Sequence, residues 1–235
     1  MIPSRPAGRS LPLAHTIAET LRDDILSARA RPGDHLRQDR LASRFGTSRI
    51  PVREALRQLD GEGLVRLLPN MGARVVRLDP NELVEIYKLR ELLEPFAISL
   101  SAPQLSDEQL QALKRQVEEM ESITQSPSPA GLIRFVEIDF HFHLASYAAA
   151  ASPRLVRMVE RLLQSAQPYR TAFIPYARMD IQHAEHRLLL EALERRDGDI
   201  AQRILEVHIR RTRVGFASHP EIFEAAFQGW KPSTR

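Results

Sequence analysis

The chain has 235 residues, 43% of them hydrophobic and 27% charged, which is enough for one large domain or two smaller ones. It contains no cysteine, and this excludes a disulfide scaffold, a cysteine-zinc site and a cysteine nucleophile. There is no apolar run of about 18 residues and no continuous apolar segment at the N-terminus. We therefore expect no membrane span and no secretory signal peptide, but a cytoplasmic protein.

Charge is divided unevenly along the chain. Residues 1–78 carry 14 arginines, no lysine and 8 acidic residues, which is a surplus of six positive charges. Residues 79–235 carry 19 basic and 22 acidic residues, together with six of the eight histidines. A basic segment favours a polyanionic partner, which the acidic remainder of the chain does not. The uneven charge therefore predicts two domains with different functions, at residues 1–78 and 79–235.

The basic segment begins with the pattern of two helices. Ile17, Leu21 and Ile25 recur at four-residue spacing, which predicts an amphipathic first helix. A second, shorter helix is predicted over Asp39–Phe45. Gly46 follows it and is expected to adopt the left-handed conformation that commonly ends a helix.

A third helix and a β-hairpin complete the basic segment. The helix is predicted to start at Thr47 and Ser48, where a hydroxyl can cap it, and to end at Gly61. Strand patterns at residues 64–68 and 73–78 flank a turn. Three helices followed by a hairpin predict a winged helix-turn-helix.

The third helix carries an arginine stripe. Arg49, Arg53 and Arg57 share one face, about 110° from the face that holds the apolar residues of the same helix. Such arginines can bind guanine edges or phosphates, and Ser48 at the helix N-terminus can hold a phosphate. We expect Arg49 and Arg53 to contact bases, and Arg57 to contact either phosphate or nothing. The competing interpretation is an ordinary solvated face.

Residues 41–59 and the Glu-Gly-Leu-Val sequence that follows at 62–65 resemble the GntR family of bacterial repressors. The resemblance implies that Arg49 and Arg53 read the operator, with help from Ser48 and from a wing whose tip glycine is Gly72. This sequence departs from the family at Ile50, where relatives usually have threonine. An apolar contact with a thymine methyl then replaces a hydrogen bond, so the resemblance does not give the operator sequence.

From residue 81 onward only helical periodicity occurs. Six helices joined by short loops are predicted, with Asn81, Ser106 and Asp199 as expected N-caps of three of them. Six such helices predict an antiparallel all-α bundle. The fold class is therefore mainly α: an N-terminal winged helix-turn-helix followed by a helical bundle.

Four side chains of the bundle form a possible metal site. Asp139 and His143 are one turn apart on the same helix face, and His186 and His208 lie on the apolar stripes of two later helices. One carboxylate and three imidazoles suit Zn²⁺, Ni²⁺ or a similar divalent ion. The competing interpretation is that these histidines are core residues without a metal.

The segment from Tyr87 to Pro95, the Asp139-to-His143 segment, His186 and His208 resemble the FCD effector domain of FadR-type GntR regulators, in the shorter, six-helix VanR-like version. The resemblance implies a divalent metal held by Asp139, His143, His186 and His208. Four protein ligands leave open positions for a small carboxylate effector. Arg90 can bind a further carboxylate oxygen, or else pair with Glu91 or Glu94.

The resulting hypothesis is a metabolite-responsive transcriptional regulator, in the usual sense of this family a repressor. Its bundle is expected to form a homodimer, so that two heads bind the half-sites of a palindromic double-stranded operator. One alternative is a metalloenzyme with an accessory DNA-binding head, although Glu137 and Glu185 are not placed like general bases. Another is a regulator whose signal is the metal itself.

Overall fold

The computed structural model describes residues 13–26, 29–30, 32–69, 71–220 and 222–223. Contacts between Cα atoms divide the chain into two compact units, Met1–Arg77 and Leu78–Arg235. Among the helices of the described ranges, none combines the length and the apolar composition that a membrane span needs. Each unit is described separately.

The first unit is a winged helix-turn-helix, as predicted. Its elements are, in chain order, α1 (Leu13–Leu26), β1 (His35–Leu36), α2 (Gln38–Arg44), α3 (Arg49–Gly61), β2 (Val65–Leu68) and β3 (Gly72–Val75). The strands form an antiparallel sheet in the order β1-β3-β2, and the β2–β3 hairpin is the wing. The two-residue strand β1 was not predicted, and the wing strands are shorter than expected.

The apolar faces of the helices and the wing meet in one core. Ile17 and Leu21 of α1 pack with Leu56 and Leu59 of α3 and with Ala73 of β3, and all five are almost completely buried. The spacing of the apolar residues therefore places one face of each helix inside, which leaves the opposite face of α3 in solvent.

Two glycines of this unit adopt positive φ angles that a side chain would oppose. Gly46 has φ of +60° and follows Phe45, the C-cap residue of α2, which confirms the predicted left-handed glycine at this helix end. Gly72 has φ of +114°, and a Cβ atom there would overlap the carbonyl oxygen of Leu36. Gly72 thus lets β3 approach β1 closely.

The second unit contains six α-helices in its described part, which confirms the predicted number. They are α4 (Pro80–Ser101), α5 (Asp107–Gln125), α6 (Pro129–Ser146), α7 (Pro153–Phe173), α8 (Met179–Glu194) and α9 (Gly198–Ala217), with short 3-10 turns after α4 and α7. In this unit α4 packs against α7 and α9, while α6 contacts α5 and α7, and α8 contacts α5 and α9.

The N-caps of three helices in the second unit can be compared with the predicted ones. Ser106 forms the predicted capping box with Gln109 at the start of α5. The predicted caps Asn81 and Asp199 are wrong, because Asp79 and Asp197 cap α4 and α9 two residues earlier. In α4 the residue after the cap is a proline, whose fixed φ favours the first helical position.

Candidate functional site

The arginine stripe of α3 lies on the solvent face of the helix. Arg49, Arg53 and Arg57 are exposed, whereas the apolar residues on the other face of α3 are buried. Ile50 is also exposed, to 60% of its surface. The stripe therefore offers guanidinium groups and one apolar side chain to whatever approaches this face.

Three residues of the predicted DNA-binding site, two near the start of α3 and one in the wing, make contacts other than those expected. Arg49 forms an ion pair with Asp39 at the start of α2, so one predicted base reader is held by a neighbour. Ser48 is the N-cap residue of α3, but its hydroxyl makes no capping hydrogen bond, so the expected side-chain cap is wrong. In the wing, Gly72 is buried beside β1, while Met71, in the turn just before β3, is exposed.

Three histidines of the second unit converge in its interior. His143 of α6, His186 of α8 and His208 of α9 are buried, and one ring nitrogen of each lies within 4.8 Å of the others. The centroids of the rings are 5.0 to 5.6 Å apart. Each of these histidines lies on the apolar face of its helix. Because the apolar faces are buried against one another, the three side chains meet in the interior.

Asp139, one turn before His143, lies at the edge of this cluster. Its Oδ1 is 3.3 Å from Nε2 of His186, and its Oδ2 is 3.6 Å from Nε2 of His143. The same carboxylate accepts a hydrogen bond from Arg170 of α7 and a longer one, of 3.4 Å, from Gln182 of α8. The structure thus brings the four residues together, and adds a buried arginine that the sequence did not indicate.

Hydrogen bonds to the outer ring nitrogens leave the inner nitrogens available for a metal. Nδ1 of His208 lies 2.7 Å from the Glu185 carboxylate, and Nδ1 of His143 lies 3.3 Å from the Tyr147 hydroxyl. Because that hydroxyl donates to Glu94, it accepts from the N–H of His143. Each ring then keeps a lone pair on Nε2.

The ring nitrogens that face the centre of the cluster lack the hydrogen bonds that buried polar atoms normally make. Among the residues described, Nε2 of His143 and Nδ1 of His186 are buried without a hydrogen-bond partner, and Nε2 of His186 has only the contact of 3.3 Å with Asp139. Such groups are uncommon in protein interiors, since each one loses its hydration without compensation. Imidazole nitrogens backed by carboxylates or hydroxyls are ligands that Zn²⁺ and Ni²⁺ accept, so the residues present fit a divalent ion.

The protonation states agree with this donor set. Burial lowers the pKa of His143 well below its ordinary value and also lowers the pKa of His208, so both rings are neutral at neutral pH. Burial by itself would raise the pKa of Asp139, but the charge of Arg170 and the hydrogen bond that it donates hold it well below the ordinary value. Neutral imidazoles and an ionised carboxylate are the forms that bind metals.

Arg90 is buried on α4 and is already paired. Its Nε donates to Glu94 at 2.5 Å, and its guanidinium lies 4.7 Å from the ring centroid of Tyr87. The ion pair that the sequence left as an alternative is therefore present, although within one helix and not between helices. Glu185, which the sequence considered as a base, is paired with Arg211 as well as with His208.

The fold and these two groups of residues define a class: a winged helix-turn-helix transcriptional regulator with a separate helical domain. Residues 13–75 match the family described as "Bacterial regulatory proteins, gntR family", and residues 85–211 match the FCD domain. The chain therefore belongs to the GntR-family transcriptional regulators that carry an FCD domain, which is a family of regulators and not of enzymes.

Individual relatives agree with this assignment. The chain is 31% identical to the regulator YdhC of Bacillus subtilis over 54% of this chain, and the match spans 57% of that protein. It is 27% identical to the transcriptional repressor GlaR of Escherichia coli K12, over 80% of this chain and 89% of GlaR. A GntR-family crystal structure from Pseudomonas syringae has a TM-score of 0.50 at 30% identity, covering 92% of this chain and 89% of that one.

Proposed function

We propose that the chain is a metabolite-responsive repressor that acts in the cytoplasm. Its unit at residues 1–78 binds a palindromic operator, and its unit at 79–235 binds a small carboxylate through a metal and forms a homodimer. The observation that carries this proposal is the buried cluster of three histidine nitrogens within 4.8 Å, in a chain whose α3 exposes an arginine stripe. That the similar GlaR is a repressor supports the sign of regulation.

The DNA-binding half of the proposal depends on α3. Arg49 and Arg53, near the N-terminus of the exposed face, are proposed to contact base edges, because the N-terminal residues of a recognition helix enter the major groove. Arg57 and Ser48 are proposed to contact phosphates, and the wing around Gly72 to contact the adjacent backbone. On DNA, Arg49 exchanges its ion pair with Asp39 for a contact with the operator.

The effector half depends on the histidine cluster. Asp139, His143, His186 and His208 are proposed as the ligands of a divalent metal, with Zn²⁺ or Ni²⁺ as the candidates. Such an ion supplies a positive centre to which carboxylate oxygens bind. Arg90 donates two of its five N–H groups to Glu94 and is proposed to donate another to a carboxylate oxygen of the effector. Burial of these groups excludes water that would weaken the attraction.

An exposed apolar stripe supports the proposed homodimer. Leu89, Leu92, Phe96 and Leu100 lie within about 80° of one another around α4, and Leu92 and Phe96 are 70% and 53% exposed. A second copy of the chain that covers this stripe removes it from water. In sedimentation equilibrium we expect the parent to be a dimer and Leu92→Lys to be a monomer. The control Val207→Lys, at an exposed position of α9, is expected to remain a dimer. A monomeric parent would contradict the proposal.

The decisive test of the proposed function is an operator selection followed by binding measurements. The full chain is used to select sites from random double-stranded DNA, and affinity is measured by fluorescence anisotropy for the parent, for Arg53→Ala and for Arg134→Ala as an exposed control in the second unit. We expect a palindromic site with half-sites about one helical turn apart or a multiple of it, and weaker binding by Arg53→Ala alone. Binding without sequence preference would contradict the DNA-binding half.

The same assay tests the effector half. The protein is treated with a chelator, reloaded with Zn²⁺ or Ni²⁺, and titrated with a panel of small carboxylates. We expect at least one carboxylate to lower operator affinity in the loaded protein only. Operator affinity that responds to the metal without any carboxylate would favour the metal as the signal, and affinity that responds to neither would contradict the effector half.

A further inference from the structure

Two arginines are buried beside the histidine cluster, and they differ in their partners. Arg90 of α4 is held by Glu94 through both Nε, at 2.5 Å, and a second nitrogen, at 3.5 Å. Arg170 of α7 is paired with Asp139, which is itself a proposed metal ligand. Arg90 reaches the cluster only indirectly, through Glu94 and the Tyr147 hydroxyl next to His143, whereas Arg170 is paired directly with Asp139.

The geometry makes Arg170 a competitor of a metal ion. Arg170 donates to Oδ2 of Asp139, and this same oxygen is the one that lies 3.6 Å from Nε2 of His143. A cation held between His143 and Oδ2 of Asp139 would take the oxygen to which the guanidinium donates. A cation on Oδ1, which lies 3.3 Å from Nε2 of His186, would leave that hydrogen bond in place. Repulsion between the ion and the guanidinium in a buried site adds to this competition.

We propose that Arg170 is the residue that anchors the carboxylate of the effector. If Oδ2 of Asp139 were engaged by a divalent ion, Arg170 would lose this partner, and its guanidinium would donate its hydrogen bonds to the carboxylate of the effector instead. A guanidinium can donate a bidentate pair of hydrogen bonds to a carboxylate. In this exchange the carboxylate of the effector replaces that of Asp139 as the partner of Arg170. This inference rests on the proposed metal and carboxylate site, and it adds a binding residue that the sequence did not indicate.

An unpartnered hydroxyl next to these groups indicates what else the ligand carries. The hydroxyl of Tyr87 is completely buried and, within the described residues, has no hydrogen-bond partner. Its ring lies under Arg90, and the charges of Arg170 and Asp139 both act on it. An O–H in this position can donate to a ligand oxygen. The ligand class is thus a small carboxylate with a second oxygen acceptor.

The first test measures metal affinity with the metal alone. The full chain, stripped with a chelator, is titrated with Ni²⁺ by calorimetry as the parent, as Arg170→Gln and as Arg90→Gln. If Arg170 competes for Asp139, Arg170→Gln binds Ni²⁺ about tenfold more tightly, and Arg90→Gln, which loses the same charge without freeing Asp139, shows a smaller gain. If Arg170 instead orients Asp139 as an outer partner, Arg170→Gln binds Ni²⁺ about 10- to 100-fold more weakly, which would overturn the proposal.

The second test measures carboxylate binding to the Ni²⁺-loaded proteins, with acetate and glycolate as probes. We expect Arg170→Gln to bind both at least tenfold more weakly than the parent, and Tyr87→Phe to lose only the advantage of glycolate over acetate. Equal acetate affinity in parent and Arg170→Gln would overturn the assignment of Arg170. Failure of the parent to bind Ni²⁺ or either carboxylate would instead contradict the proposed function.

A folding control keeps both tests interpretable. Circular dichroism melts identify variants that do not fold, and Arg170→Lys keeps the buried charge if Arg170→Gln does not fold. Lysine has no planar fork, so Arg170→Lys is expected to bind acetate more weakly than the parent. Acetate affinity equal to that of the parent in a folded Arg170→Lys would overturn the anchoring role.

Discussion

The ion pair between Asp139 and Arg170 allows a quantitative prediction for the metal-free protein. The Asp139 side chain is completely buried and the Arg170 side chain is 7% exposed, so solvent screens the pair very little. Asp139→Asn keeps the size of the side chain but leaves a buried guanidinium without a counter-charge. Removal of one partner of a buried pair typically costs about 3–5 kcal/mol of the free energy of unfolding.

This loss is large enough to measure by thermal or urea unfolding in the presence of a chelator. At about 2–4 °C per kcal/mol for a domain of this size, the midpoint of the second unit falls by about 6–20 °C. The matched control is Arg134→Gln, which removes a guanidinium that is 51% exposed and pairs with two surface carboxylates. That variant is expected to cost less than about 1 kcal/mol.

A double-mutant cycle separates the pair from its surroundings. In Asp139→Asn with Arg170→Gln, neither side chain carries a charge, so the loss is expected to be smaller than in Asp139→Asn alone. If Asp139→Asn costs no more than Arg134→Gln, or if the double variant loses the sum of the two single losses, the reasoning from the buried pair is refuted.

Three further predictions concern the first unit. Arg53→Ala is expected to weaken operator binding by about 1–3 kcal/mol and to relax specificity at one base pair, measured by competition with single-base operator variants; equal losses on all variants would exclude a base contact. Gly46→Ala is expected to cost about 1–2 kcal/mol of the free energy of unfolding, because Gly46 has positive φ but open space around it. Gly72→Ala is expected to cost more, because its Cβ would also overlap the carbonyl oxygen of Leu36. Equal losses in urea unfolding would refute the close approach of β3 to β1. Burial would raise the pKa of Asp24, but hydrogen bonds from two arginines lower it, so its contribution to stability is present above the unfolded pKa of about 3.9 and is lost as pH falls. Asp24→Asn is therefore expected to be destabilising at neutral pH and to flatten the loss of stability below about pH 4, and unchanged acid unfolding would contradict this.

Much of the fold could be predicted because apolar spacing directly reports which helix face is buried. The spacing of Leu56 and Leu59 places the arginine stripe of α3 in solvent, and the six helices of the second unit follow from the same periodicity. The strand β1 could not be predicted in this way, since two residues are too few to show an alternating pattern. Gly72 pairs with Leu68 next to the turn of the β2–β3 hairpin, but its close approach to Leu36 could not be predicted without β1.

The candidate metal site was predictable only in part. His186 and His208 lie on regular apolar stripes, so the sequence indicates that they point inward. Arg170 gives no such signal, because the last turns of α7, residues 166–171, are buried on all sides and show no amphipathic pattern. The hydroxyl of Tyr147, which orients His143, depends on a contact with Glu94 of another helix that sequence spacing cannot show.

The central claim is that the histidine cluster holds a metal, and the most direct test is the metal content of the purified protein. Elemental mass spectrometry of the parent, of His186→Ala and of Asp139→Ala measures divalent ions per chain. The account predicts about one ion per chain in the parent and a clear loss in both variants, whose folding is checked by circular dichroism. No metal in the parent after reloading, or equal metal in parent and variants, would contradict it.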